Sequence, residues 1–125
     1  MTSPPPPRPR RSALYMPASN ARALEKARTL DADVLILDLE DSVAPDAKET
    51  ARRQALQALT EGDYGLRELI LRVNALSTPW GEEDLKSAAQ SGSHAVLLPK
   101  VESPEQVQAA DALLAGTGLS IWCMI

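Results

Sequence analysis

The stretch Val34-Leu35-Ile36-Leu37-Asp38-Leu39-Glu40-Asp41-Ser42-Val43-Ala44-Pro45 constrains the fold of this chain more than any other. An aliphatic run ends in the carboxylates Asp38, Glu40 and Asp41 and then turns. A short apolar run closed by a turn reads as a buried strand of a parallel sheet. Side chains alternate along a strand, so Ile36, Asp38 and Glu40 share one face and Leu35, Leu37 and Leu39 the other. The leucines are expected to pack beneath helices. Asp38 lies among apolar residues, where a carboxylate is costly unless it is paired or hydrogen-bonded. Acids at the carboxyl end of a parallel strand stand where α/β folds build their sites. Asp46, and in part Asp41, also read as acids flanking the next helix, at the end its dipole favours for negative charge. Asp38 and Glu40 read as functional.

The remaining chain repeats the pattern. Residues 1–11, MTSPPPPRPRR, carry four consecutive prolines and read as a disordered arm of polyproline II character. Residues 12–125 read as one domain. Ser12–Pro17 is expected as a strand, and Asn20 as the cap of a helix to about Leu30. Pro45 suits a first helical turn, and Asp46–Leu59 places Ala47, Ala51, Ala55 and Leu59 on one face. Glu68–Asn74 is expected as a strand, Glu82–Gln90 as a helix and His94–Lys100 as a strand. A helix should start at Ser103-Pro104, with Glu105-Gln106 forming an approximate capping box. Leu119–Ile125 is a last apolar strand. Strict alternation of buried strands with helices means a parallel sheet covered by helices. An open doubly wound sheet and part of a (β/α)8 barrel both fit; a complete barrel takes about 250 residues. The end on a bare apolar strand favours the fold class of an incomplete TIM barrel, with five parallel strands alternating with four helices. In that case Leu119, Ile121, Trp122, Met124 and Ile125 are expected to face solvent along an aggregation-prone edge.

Composition narrows the partners. With 44% hydrophobic residues, 24% charged residues and a net charge of −4, nucleic acid is not expected as the main partner. No apolar run approaches the ~20 residues of a membrane span. The proline- and arginine-rich start lacks the apolar segment of a secretory signal. The single cysteine, Cys123, rules out an internal disulfide and suits a reducing cytoplasm. With one histidine, His94, any metal would need oxygen ligands, which points to magnesium or manganese.

Polar residues gather at the carboxyl ends of the strands: Asp38, Glu40 and Asp41; Arg72 and Asn74; Lys100 and Glu102. Ile70, Arg72 and Asn74 share one parity, as do Val96, Leu98, Lys100 and Glu102, and the groups are expected to converge on one mouth. Arg72 needs an anionic partner, and its planar fork suits two-point contact with a carboxylate. That partner is either Asp38 or Glu40 as structure, or a substrate, or both. Lys100 follows Pro99 and also reads as a solvated lysine. Glu102 reads as a helix-cap acid, His94 as structural, and Trp80 as either a cover for the mouth or loop packing.

Four blocks carry a resemblance: LYMPASN, VLILDLEDSVAPDAK, RVNALSTPW and AVLLPKVESPEQV, in order over Ser12–Ile125. Together they resemble the citrate lyase β-subunit-like branch of the HpcH/HpaI aldolase superfamily. The resemblance implies a (β/α)8 barrel and a cytoplasmic, magnesium-dependent carbon–carbon lyase that cleaves or forms 3-hydroxyacyl thioesters such as citryl-, malyl- or citramalyl-CoA. The partners it implies are a 2-oxo acid and an acyl thioester of coenzyme A or an acyl-carrier protein, within a homo-oligomer. It gives Arg72 the carboxylate of the oxo acid and places Glu40 and Asp41 near the magnesium and its waters, with Asp38, Asn74 and Lys100 in support. The direct metal carboxylates are expected just after Ile125, so none lies in this chain, and no residue is identified as the catalytic base. An inactive fragment or interaction subunit of such a lyase is the main alternative. A phospho-receiver module is a remote one, because the first strand ends in Met16-Pro17 and the third in Arg72.

Overall fold

The computed structural model describes residues 8–125. The strands are β1 (Ala13–Pro17), β2 (Val34–Asp38), β3 (Glu68–Arg72), β4 (Ala95–Leu98) and β5 (Ser120–Cys123). The helices are α1 (Ala21–Lys26), α2 (Lys48–Glu61), α3 (Gly81–Ala89) and α4 (Pro104–Leu113). All neighbouring strands pair in parallel, in the order β1-β2-β3-β4-β5. None of the described helices is long and apolar enough to cross a membrane.

Sequential order decides between the two architectures. A doubly wound sheet reverses strand order to place helices on both faces. Here the helices cover a single face. Leu35, Leu37, Leu39, Leu71, Val73, Val96 and Leu98 pack with Leu24, Ala55, Leu59, Leu85 and Ala110 from the helices. The opposite face carries Val34, Ile36, Ile70, Ala95 and Leu97, with Trp122 and Met124 against them. This is the wall of a barrel: helices outside, an apolar lining inside. The stripe of α2 facing the sheet is built from Ala51, Ala55 and Ala58, small residues that let the helix lie close. The helix stops at Gly62, whose φ of 73° suits a residue without Cβ.

Local signals act where the sequence places them. The Asn20 side chain accepts from the Ala23 amide at 3.1 Å and starts α1. Gln106 reaches back to the amides of Glu102 and Ser103, closing the capping box at the Ser103 N-cap of α4, so Glu102 is not the cap.

Three expectations are corrected. First, Val96 and Leu98 lie in the helix-side core while Ala95 and Leu97 line the interior, so the parity assumed for Lys100 on β4 is reversed. Second, β3 ends at Arg72, so Asn74 lies beyond the strand and does not continue its alternation. Third, of the five residues expected on the open edge only Ile125 is fully exposed; Leu119, Ile121, Trp122 and Met124 are half-buried against the two faces of the sheet.

Of the proline-rich arm, residues 1–7 lie outside the described residues. At its inner end, Arg10 bonds both oxygens of Glu68, at 2.7 and 3.1 Å, and stacks over Trp122 at 5.3 Å. Arg11 bonds Asp33 through its amide and its guanidinium.

Helix α3 begins at Gly81, where a Cβ would meet the Ala75 carbonyl oxygen at 2.2 Å. Backbone on both sides must shift to admit it, and forced overpacking costs about 1–3 kcal/mol. Gly81→Ala is expected to lower unfolding stability by that amount in urea titration. An unchanged midpoint would show that the Ala75–Gly81 loop yields freely.

Candidate active site

The centre of the inner wall is an ion pair between directly opposed residues of β2 and β3, Asp38 and Arg72. Arg72 Nε donates to Asp38 Oδ1 at 2.8 Å and Nη2 to Oδ2 at 2.7 Å. Asp38 is 1% exposed and Arg72 9%. Desolving such charges costs several kcal/mol each, so the pair survives only if every lone pair and proton is satisfied. For Asp38 that condition is met. Besides Arg72, it accepts from the Glu40 amide at 2.8 Å, the Ser42 amide at 2.9 Å and the Ser42 hydroxyl. Burial alone would raise its pKa; the Arg72 fork, the Ser42 hydroxyl and the two amides outweigh it and hold the carboxyl at about 2. Arg72 is steadied on its face as well, since its guanidinium lies 4.9 Å from the centre of the Tyr15 ring.

A guanidinium has five N–H donors. Asp38 occupies the Nε/Nη2 edge, which leaves the Nη1/Nη2 edge for another acceptor. Nη1 points toward Met124 Sδ at 3.3 Å and Glu40 Oε1 at 3.9 Å. Thioether sulfur is a weak acceptor, so this edge can still receive a carboxylate in two-point contact.

Glu40 is bracketed by cations, with Arg72 on one side and Lys100 Nζ bonded to Oε2 on the other. Lys100 reaches it in spite of the reversed parity because its backbone enters the left-handed region, with φ of 50°. That turn after Pro99 swings the lysine over the strand ends toward β2. Its pKa is raised by the bond to Glu40.

Behind the mouth lies a second set of polar side chains. Asn74 donates from its amide and its carboxamide to Asp84 Oδ2, at 2.9 and 2.7 Å, and from the carboxamide to the Leu39 carbonyl at 3.1 Å. Arg52 binds the other Asp84 oxygen at 2.8 Å. Lys48 donates to the carbonyls of Leu39 and Glu40 and lies over the Trp80 ring.

The structure therefore brings Asp38, Glu40, Arg72 and Lys100 together. Asn74 turns away from them into the helix layer, and Asp41 is exposed on the turn after β2. Trp80 packs on Lys48 rather than over Arg72. His94 lies at the opposite end of the sheet, where its Nδ1 accepts from the Leu69 amide at 2.9 Å. Residue-by-residue reading passed over Tyr15, Ser42, Lys48 and Asp84. A signal was present for two of them: Lys48 falls on the buried stripe of α2 with Ala51 and Ala55, and Asp84 on that of α3 with Leu85 and Ala88.

The donors present do not form a metal site. Among the described residues no group of three or more His, Cys, Asp or Glu side chains is placed to hold a cation. The Asp38 oxygens are consumed by their five donors, and Glu40 is committed to Lys100 and Arg72.

The lowered pKa of Asp38 sets the direction of an acid response. With its carboxyl near 2 when folded against an ordinary 3.8, the stabilisation is complete above about pH 4 and is lost as pH falls from 4 toward 2. Asp38→Asn is expected to lower stability at neutral pH and to flatten the decline between pH 4 and 2 in urea unfolding. Equal slopes in the two proteins would remove Asp38 as its cause.

Comparison with known proteins identifies the family. The family profile described as HpcH/HpaI aldolase/citrate lyase matches residues 11–118. A (3S)-malyl-CoA thioesterase of Cereibacter sphaeroides is 47% identical over 117 residues, which cover 94% of this chain and 40% of the relative. Citrate lyase subunit beta of Escherichia coli is 43% identical over 100 residues, covering 80% of this chain and 33% of that protein. A structure of the citrate lyase beta subunit from M. tuberculosis, complexed with oxaloacetate and magnesium, superposes with a TM-score of 0.73 at 31% identity, covering 93% of this chain and 48% of that one. The chain thus spans less than half the length of these relatives. A five-stranded barrel wall, an inward ion pair at its carboxyl end and a profile match over most of its length lead to one assignment: the chain belongs to the HpcH/HpaI aldolase/citrate lyase family.

Proposed function

We propose that this chain forms the carboxylate-binding wall of a carbon–carbon lyase that acts on 3-hydroxyacyl thioesters by a retro-aldol route. The observation that carries the reading is the Nη1/Nη2 edge of Arg72, which meets only a thioether sulfur at 3.3 Å and a carboxylate oxygen at 3.9 Å, on a guanidinium already fixed by Asp38 and Tyr15. A 2-oxo acid presents a planar carboxylate, and a fork held in advance loses little entropy in binding it. The neighbouring structure that holds oxaloacetate supports this class of ligand.

In the cleavage direction the substrate carries a hydroxyl and a carboxylate on the carbon that becomes the oxo acid. The bond from that carbon to the carbon next to the thioester breaks. The hydroxyl gives its proton to a base and becomes the new carbonyl, while the bonding electrons pass to the thioester half as an enolate, which takes up a proton to become the acetyl thioester. Arg72 holds the carboxylate through both states, which fixes the angle at which the bond breaks. Lys100 and Arg72 confine Glu40 beside the reacting centre. Magnesium accompanies the relative; in this chain Glu40 and Asp41 are suited to its waters and not to the ion itself.

Hydrolysis of a thioester is a second reading, favoured by the malyl-CoA thioesterase relative. Both are tested by supplying malyl-CoA with magnesium and identifying the products. Lyase action releases glyoxylate and acetyl-CoA, whereas hydrolysis releases malate and free coenzyme A. If neither pair forms, the chain acts as a binding or interaction piece of such an enzyme.

The role of Arg72 is tested by two variants. Arg72→Lys keeps the charge and loses the fork, and is expected to lower kcat/KM by roughly 100-fold or more, because one charge-assisted bond to the substrate and its alignment are lost together. Asp38→Asn weakens the same buried pair and keeps the guanidinium, so its activity loss should be clearly smaller at a comparable loss of stability. Near-normal turnover by Arg72→Lys would overturn the assignment.

A further inference from the structure

Lys48 is a buried cation that the reaction scheme leaves without a task. It is 7% exposed, and no carboxylate lies within ion-pair distance of it among the described residues. It also opens α2, where the positive end of the helix dipole disfavours another cation. A lysine in such a place is expected to extend its head to water. Instead its ammonium turns inward and is neutralised by dipoles. Nζ donates to the Leu39 carbonyl at 3.1 Å and the Glu40 carbonyl at 2.9 Å, and the Trp80 ring lies 5.2 Å away.

Those two carbonyls have a particular relation to Glu40. The carbonyl of Leu39 belongs to the peptide plane before the Glu40 Cα, and the carbonyl of Glu40 to the plane after it. Two rigid planes and the two dihedrals between them define the backbone at a residue. A donor that holds both planes fixes φ and ψ of Glu40, and with them the direction of its Cα–Cβ bond. The two planes have further partners, including the Val43 amide, which donates to the Glu40 carbonyl at 3.2 Å. The Glu40 amide donates to Asp38 at 2.8 Å, and the Leu39 carbonyl also accepts from Asn74, which Asp84 holds. Trp80 brings the loop that leads into α3 onto the same ammonium.

We propose that Lys48 is a positioning residue of the mouth, fixing the two peptide planes that flank Glu40 so that its carboxylate meets Arg72 and Lys100. This deepens the lyase reading and rests on it for the catalytic consequence, while the positioning itself has a readout that needs no turnover. The test uses the protein with Lys48→Met, which keeps the length of the side chain and removes its donors. Hydrogen exchange followed by NMR is expected to quicken at least 10-fold at the Glu40 and Ser42 amides. The amides of Leu71 and Val96, in the middle of the sheet, should be unchanged.

If the protein turns over a malyl-type thioester, Lys48→Met should lower kcat about 10-fold with KM within about threefold. The same substitution made in a Glu40→Gln background should bring no further loss, since the effect passes through Glu40. Should Lys48→Met fail to unfold cooperatively, Lys48→Arg keeps the charge and carries both readouts, because its planar fork presents donors at a different reach from the ammonium. Unchanged exchange at Glu40 and Ser42 in the folded variant overturns the proposal, and so does a full multiplicative loss in the Glu40→Gln background. Absence of turnover in the wild-type protein would sink the lyase reading alone, and the exchange rates would still decide the place of Lys48.

Discussion

The mouth of this molecule depends on one buried ion pair. Asp38 and Arg72 stand opposite each other on adjacent strands, and neither could remain there alone. An unpaired charge at that depth costs several kcal/mol, comparable to the whole stability of a small domain. Pairing removes most of that cost and also determines the orientation of Arg72. One edge of the guanidinium is spent on Asp38 and one face on Tyr15, so what remains is a single directed edge at the open end of the wall. The alternatives of a structural arginine and a ligand-binding arginine therefore merge, because the structural contacts aim the binding contacts.

The two faces of the sheet are held by different forces. Outside, leucines and alanines pack with no polar atom to satisfy, and the stabilisation follows the buried area. Inside, toward the strand tips, the contacts are ionic and directional. Between them runs the Lys48–Asn74–Asp84–Arg52 set, which ties the loops after β2 and β3 to helices α2 and α3. The loops that carry Glu40 and Trp80 are thus anchored to rigid elements and not to each other alone, as a site needing fixed geometry requires.

Much of this was legible in the residues. The aliphatic run ending in Asp38 announced a buried parallel strand, and alternation placed Asp38 and the leucines on opposite faces. Asn20 and Pro104 marked helix starts at the right places. What escaped has specific causes. Alternation does not predict the place of Asn74, because β3 ends at Arg72 and the Asn74 carboxamide is drawn to Asp84 and the Leu39 carbonyl. Alternation groups Lys100 with Val96 and Leu98, yet Lys100 occupies a left-handed conformation that breaks the alternation. Lys48 was passed over because a lysine at the start of a helix reads as solvated, and only its spacing with Ala51 and Ala55 shows that it is buried.

The clasp made by Arg10 bears on the order in which such a wall can be assembled. Each strand pairs with the one made just before it, so the sheet can grow one strand–helix unit at a time through contacts between near neighbours in sequence. Arg10 departs furthest from that order. It precedes β1 in sequence, yet it binds Glu68 on the third strand and covers Trp122 on the fifth. Its full set of contacts is complete only when β5 has joined the wall. Glu68 offers one half of that set with the third strand, and closing over Trp122 marks the point at which five strands have come together.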